Sequence, residues 1–442
     1  METELITEEI QIETTGAPPI TQMEVVTEIT YSTVPAVTLE NNEIAEECLQ
    51  DEVETEELLM QPYIVPYDLS KQPALITGAT QEFKTSFSKG CKWSPDGSCI
   101  MTNSDDNVIR LFNLPQELYN VDEYQNAPLP EMSSVLQVQT KELVYDYAWY
   151  PLMSSADPAT CCFATTARDN PIHLWDAYTG ELRCSYRAYN QVDEVTAAYS
   201  VAFDPSGTKL YCGFDRSIRI FYVNQPGRDC ETRYTKSSKG ELISQVGIIS
   251  CIAVNPAMPS LYAAGSYLRS IGLYAEPDGT PLCLLNGQAG GITHLCFSPD
   301  GTKLFSGGRK DSEILGWDLR NPGQILHVLQ RSVDTNQRVY FDLDNQGRYL
   351  FSGNSNEKVS VWDLQSNTNP STDSSTNLSS VLEFEAHQDC VNGISLHPSL
   401  PIIATSSGQR HFPSVDDDDD SSVLLNFESI REENSLKLWS LK

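Results

Sequence analysis

Val108-Ile109-Arg110-Leu111-Phe112 is a short β-type run that closes on an aromatic residue, and the pattern returns six more times. It recurs as Ile172-His173-Leu174-Trp175, Ile218-Arg219-Ile220-Phe221, Ile271-Gly272-Leu273-Tyr274, Ile314-Leu315-Gly316-Trp317, Val359-Ser360-Val361-Trp362 and Leu436-Lys437-Leu438-Trp439. The aromatic anchors fall 63, 46, 53, 43, 45 and 77 residues apart. A period in the forties, stretched where loops are inserted, marks WD-type repeats of one four-stranded blade each. The fold class read from it is all-β, a seven-bladed WD-repeat β-propeller.

A second motif precedes each anchor: an apolar strand that ends in a turn. Cys91-Lys92-Trp93-Ser94-Pro95-Asp96-Gly97 and Leu295-Cys296-Phe297-Ser298-Pro299-Asp300-Gly301 are its fullest forms. Proline presets φ and glycine supplies a positive φ, so these turns reverse the chain between a blade's first two strands. A propeller must close to avoid an unpaired edge. Trp439 stands too near the last residue for an outer strand to follow it, so that strand is expected from the N-terminal side, within Ile76 to Phe87. The domain expectation is a disordered acidic tail over 1–75 and a propeller over 76–442.

Composition separates these two regions. The net charge is −32, and residues 1–75 contribute −16 through 17 Asp/Glu against the single base Lys71. Such a segment buries too little apolar surface to offset its ordering entropy. No secretory leader and no apolar run of about 20 residues occurs, so no membrane partner is expected. The twelve cysteines show no C-x-x-C pairing, which reads as free thiols in a reducing compartment. Three insertions are expected: 115–143 between blades one and two, 366–380 between six and seven, and 412–434 within seven. The last holds Asp416 to Asp420, read as a solvated loop because it lacks the glycine-punctuated spacing of a calcium loop. No cofactor or metal is expected.

No nucleophile elbow, phosphate-cradling loop or zinc-protease motif is present, and the six histidines stand singly, so the protein is not read as an enzyme. Bases recur instead at the turn before the anchor strand: Arg168, Arg216, Arg269, Arg309 with Lys310, and Arg410. Equivalent turns of successive blades share one face. Loops between blades are expected to add Arg187, Tyr189, Asn190, Arg331 and Arg338 to that face. Arginine's planar fork suits phosphate, and Tyr189 would stack on an unpaired base. Asn190, Asn336 and Gln337 are candidates for reading base edges. The competing expectation is local pairing of Arg168 with Asp169, Arg216 with Asp215 and Lys310 with Asp311, worth little at a surface.

Several stretches go beyond a generic WD repeat. They include Tyr145-Asp146-Tyr147-Ala148-Trp149-Tyr150, Asn170-Pro171-Ile172-His173-Leu174-Trp175-Asp176-Ala177 and Tyr186-Arg187-Ala188-Tyr189-Asn190. Gly265-Ser266-Tyr267, Arg309-Lys310-Asp311, Thr335-Asn336-Gln337-Arg338 and Asn392-Gly393-Ile394-Ser395-Leu396-His397-Pro398 belong with them. Together, over roughly residues 85–412, the chain resembles the telomerase Cajal body protein family. The resemblance implies a nuclear RNA-binding propeller that recognises the Cajal-body-box loop of H/ACA-class small Cajal body RNAs. Telomerase RNA, where present, is a further implied ligand. The implied protein partners are the telomerase ribonucleoprotein, H/ACA core proteins and Cajal body scaffold proteins, and the implied place is the Cajal body. The alternative reading is a substrate adaptor of a cullin-type ubiquitin ligase, docking through Trp317-Asp318-Leu319-Arg320.

Overall fold

Each anchor strand pairs on both sides, and this double pairing builds a blade. In blade two, Val144–Trp149, Cys162–Ala167, Ile172–Asp176 and Leu182–Tyr186 form an antiparallel meander in sequence order. Seven such sheets occur in the computed structural model, which describes residues 64–119, 128–236, 243–366, 376–411 and 432–442. All seven anchors lie in third strands, so the seven-bladed reading stands. The acidic tail up to residue 63 and Asp416 to Asp420 lie outside the described residues.

Third strands are buried on both faces, as Val359, Val361 and Trp362 show with at most 1% exposure. Strands buried in this way read as continuous apolar runs, which is why the anchors stand out in the sequence. The anchor tryptophans also tie strands together by hydrogen bonds. Trp439 Nε1 donates to Thr405 Oγ1 (2.9 Å), and Thr405 Oγ1 lies 2.8 Å from His387 Nε2. Trp317 and Trp175 make the same bond to Ser306 and Thr165.

Blade seven consists of Val391–Leu396, Ile402–Ser407, Leu436–Ser440 and, outermost, Ala74–Ala79. This last strand begins two residues before the anticipated boundary at 76, and the rest of the Ile76–Phe87 window turns into a 3-10 helix at Gln81–Phe83. The chain is already docked earlier: Val65 is 4% exposed, and Tyr67 packs against Tyr349 and Phe351. The reason is apolar. Val65 is buried, and Tyr67 and Leu69 pack against the hydrophobic cluster that blades six and seven share.

Two insertions sit differently from expectation. Leu136–Gln139 is blade one's own outer strand, so the insertion lies within blade one, between its third and outer strands. Its descending part runs along the free edge of the closing strand. Leu129 N donates to Ile76 O and Met132 N to Gly78 O, each at 2.8 Å, and Thr77 Oγ1 donates to Pro130 O at 2.6 Å. Likewise Leu382–Glu385 is blade six's outer strand, which places the second insertion inside blade six. From that insertion, Asn377–Leu378 pairs in parallel with Gln324–Gln330 and gives blade five a fifth strand.

Candidate nucleic-acid interface

In an antiparallel four-strand meander, three points share one end: the entry to the inner strand, the tip between second and third strands, and the exit of the outer strand. The backbone shows these points meeting, because Arg168 N donates to Leu143 O, Arg216 N to Gly247 O and Arg309 N to Gly291 O. The tip residues also share a conformation. Asn107, Asp169, Arg216, Arg269, Lys310 and Glu357 have φ between 44° and 73°, each just before its anchor strand. Asn and Gly tolerate this left-handed region best. Arg216, Arg269 and Lys310 therefore carry backbone strain to hold a base at the tip, which is a reason to look for function there.

The tips surround a cavity of about 870 Å³ at the end of the propeller axis, lined by residues from all seven blades. Five bases line it (Lys89, Arg309, Lys310, Arg338 and Arg410) against two carboxylates, Asp105 and Asp334. In a chain of net charge −32 this mouth is locally basic. Its wall is aromatic. Tyr145 stacks on Tyr199 with centroids 5.4 Å apart at 29°, and the Arg309 guanidinium lies 3.6 Å above the ring of Tyr267. Burial pushes the Tyr145 hydroxyl above its ordinary range, helped by neighbouring Tyr199.

Beneath the mouth lies a charged floor. Asp146, 5% exposed, accepts from Arg338 Nη1 (2.8 Å) and from Val201 N (3.1 Å), with Lys92 Nζ at 3.8 Å. Arg338 also donates to Ser250 O (2.9 Å) and to Tyr340 Oη (3.0 Å). Burial alone would raise the Asp146 carboxyl, but Arg338 and Lys92 outweigh it and hold the group below its usual range. This floor joins blades one, two, three, four and six around the axis.

The sequence-derived site residues separate in the structure. Arg309, Lys310 and Arg410 reach the mouth, as do the candidate base readers Asn336 and Gln337. Arg410 and Lys89 share Asp105, each at 3.2 Å. Arg168, Arg216 and Arg269 are exposed on the surrounding rim. Arg168 pairs with Glu142 at 3.0 Å and not with Asp169, whereas Arg216 does pair with Asp215 at 2.8 Å. Asp311 is 3% exposed and accepts from Gly290 N and Glu313 N, so it does not neutralise Lys310. Arg187 is exposed on the loop that leaves blade two and does not line the mouth.

Four expectations are corrected. Arg338 faces the mouth but is spent on the buried Asp146. Arg331 is buried, donating to Val339 O and Ser352 Oγ, and is no surface residue. Tyr189 is half-buried with the Arg228 guanidinium 4.5 Å from its ring centre, so that face is taken. Asn190 Oδ1 accepts from Val192 N and Glu194 N while Nδ2 donates to Glu194, which fixes its own loop and leaves no free edge. The Trp317–Arg320 stretch is split between interior and surface, with the Arg320 side chain 67% exposed. Trp317 is buried and Arg320 folds onto Asp318 at 2.9 Å. Blades two and six make comparable Arg–Asp pairs, Arg183–Asp176 and Arg348–Asp363, so that pairing is shared among blades and does not single out a docking box.

Sequence reasoning missed Tyr145, Tyr199, Tyr267 and Asp146, which sit where inner strands begin and at one turn tip. The signal was available for three of them, since Tyr145, Asp146 and Tyr267 fall in stretches that depart from a generic WD repeat. It also missed Tyr234, which is 77% exposed and pairs across the strands with Ser217, beside Arg216.

The family model for the WD domain, G-beta repeat, matches residues 82–113, 189–221, 279–318 and 378–412. Over 382 residues the chain is 52% identical to telomerase Cajal body protein 1 of Mesocricetus auratus, covering 84% of this chain and 69% of that protein. The Homo sapiens protein of the same name is 52% identical, with 84% and 68% covered. The Drosophila melanogaster telomerase Cajal body protein 1 homolog is 40% identical, with 78% and 61% covered.

Proposed function

The chain belongs to the telomerase Cajal body protein family, and from that premise we propose that it is a nuclear, RNA-binding scaffold. In this reading it takes the Cajal-body-box loop of H/ACA-class small Cajal body RNAs, and of telomerase RNA where one exists, across the face that carries the mouth. It then directs those ribonucleoproteins to Cajal bodies. The observation that carries the proposal is the basic, tyrosine-walled mouth in an otherwise strongly acidic protein. Phosphate attracts guanidinium and ammonium groups, and unpaired bases stack on tyrosine or on an arginine plane, so both halves of a single-stranded ligand find a counterpart. Arg216, Arg269 and the exposed Tyr234 extend the same surface outward over blades three and four.

The contributions within the face are unequal. Among the described residues Arg269, Arg309 and Lys310 form no ion pair, while Arg168 and Arg216 give up part of their charge to Glu142 and Asp215. The test is a triple variant, Arg309→Ala, Lys310→Ala and Arg410→Ala, assayed with a Cajal-body-box stem-loop RNA. It should bind about 100-fold more weakly, with a normal melting curve, if each contact supplies about 1 kcal/mol. A folded triple variant that keeps full RNA affinity overturns the proposal.

A further inference from the structure

We infer that the mouth contains a pocket for one unstacked nucleobase that bears an exocyclic amine, an inference that rests on the RNA-binding reading above. The starting point is a set of polar atoms that the fold buries and leaves without a protein partner. Asn103 is 3% exposed, and its side-chain oxygen accepts no hydrogen bond. The Nε–H of Arg309 is buried and donates to nothing. Both residues line the same cavity. Folded proteins rarely bury an amide oxygen and a guanidinium donor unsatisfied, and when they do the exception calls for a reason.

The surroundings say what would satisfy them. Phe87, Tyr145, Tyr199 and Tyr267 line the cavity with aromatic rings, Tyr145 stacks on Tyr199, and the Arg309 guanidinium lies over Tyr267. Planar heterocycles stack on such surfaces. An acceptor such as Asn103 Oδ1 takes an N–H, which an exocyclic amine of adenine, cytosine or guanine supplies. The Arg309 Nε–H, elsewhere on the same cavity, is an unpaired donor that a ring nitrogen or carbonyl oxygen of an inserted nucleotide would satisfy. Lys310 and Arg410 stand at the opening, where the phosphate attached to an inserted nucleotide would remain. A volume of about 870 Å³ accommodates a base with its sugar. The bases at the opening hold the strand, and Asn103 chooses among the bases.

The test uses the full chain and two nucleotides, AMP and purine riboside 5′-monophosphate, which share ring and phosphate but differ in the amine. Ligand-observed NMR titration should find AMP bound about tenfold more tightly, the effect of one hydrogen bond to a group otherwise left unpaired. In Asn103→Leu, a substitution of similar size, that difference should vanish while Tyr145→Leu with Tyr199→Leu weakens both nucleotides equally. Equal binding of the two nucleotides by the unaltered protein overturns the pocket, as does a preference that survives in Asn103→Leu. Should Asn103→Leu fail to fold, Asn103→Ser takes its place and the comparison on the unaltered protein still decides. RNA affinity intact beside equal nucleotide binding removes this pocket and leaves the RNA reading standing. Loss of stem-loop binding by the unaltered protein removes both.

Discussion

Asp146 is the residue on which the floor of the mouth depends, because it is the buried anion that Arg338, Lys92 and the Val201 amide all approach. Removing one member of a buried pair leaves the other charge unpaired in a poor solvent, at a cost of about 3–5 kcal/mol. Asp146→Leu should therefore lower the denaturation midpoint sharply, and adding Arg338→Met should restore much of the loss. A midpoint that stays put in the single variant removes the floor's structural role. Histidines set a second expectation. Burial depresses His294 to about 3 and His397 to about 4, so both stay neutral in the fold. Their stabilising contribution is complete above the ordinary value near 6.5 and falls progressively as pH drops toward those depressed values. Between pH 7 and 5 each forfeits about 2 kcal/mol. Asp342 works in the opposite sense, since burial raises it to about 6 and its protonation in the fold returns about 1 kcal/mol over the same interval. The two histidines prevail, and the melting temperature should be lower at pH 5 than at pH 7.5; a constant or higher value would contradict the sign. At this scale the sequence is least informative. Periodicity places Arg309 and Arg410 at turns, but nothing in it separates Arg410, which reaches the mouth, from Arg338, which a carboxylate 192 positions away neutralises.

The strand Ala74–Ala79 shows how far an element can be read in advance. Its existence follows from the need to close the ring, but its start does not, because two residues of a six-residue strand carry no distinguishing pattern. Its second partner was not legible at all. Leu129, Met132 and Pro130 hydrogen-bond along an edge that sequence spacing leaves bare, and the link is long-range. The structure also sets the cut that separates harmless from damaging truncation. Residues 1–63 can be removed with little effect on melting, whereas removing 1–80 deletes buried Val65, Ile76 and Ala79 and half-buried Tyr67 along with the outer ladder of blade seven. On apolar burial alone that costs at least ~5 kcal/mol. Differential scanning calorimetry of the two truncations checks it; equal melting would mean that Ala74–Ala79 does not close the ring.

For the molecule as a whole, the question is which charge an approaching RNA experiences. The net charge of −32 repels it, and the mouth attracts it. Beyond about 10 Å at 0.1 M salt the repulsion is screened, while contacts within the mouth are not. Raising salt should therefore weaken binding, with a slope of log affinity against log salt near −2 if three phosphates are held. A slope of zero or above would mean that global repulsion outweighs the mouth. The repeat architecture was legible at this scale because seven copies of one pattern reinforce each other, whereas the mouth was only partly so, being assembled from residues of every blade in unequal share, one from blade three and six from blade six. The clasp on Ala74–Ala79 bears on how such a ring is made. Its principal partner, Leu436–Ser440, is synthesised more than three hundred residues later, and a lone β-edge left waiting that long invites aggregation. Residues 128–132 leave the ribosome soon after the strand does and can occupy one of its sides straight away. The newborn protein thus covers the outer edge of this strand early and for good, and the final blade zips against a strand already held in place.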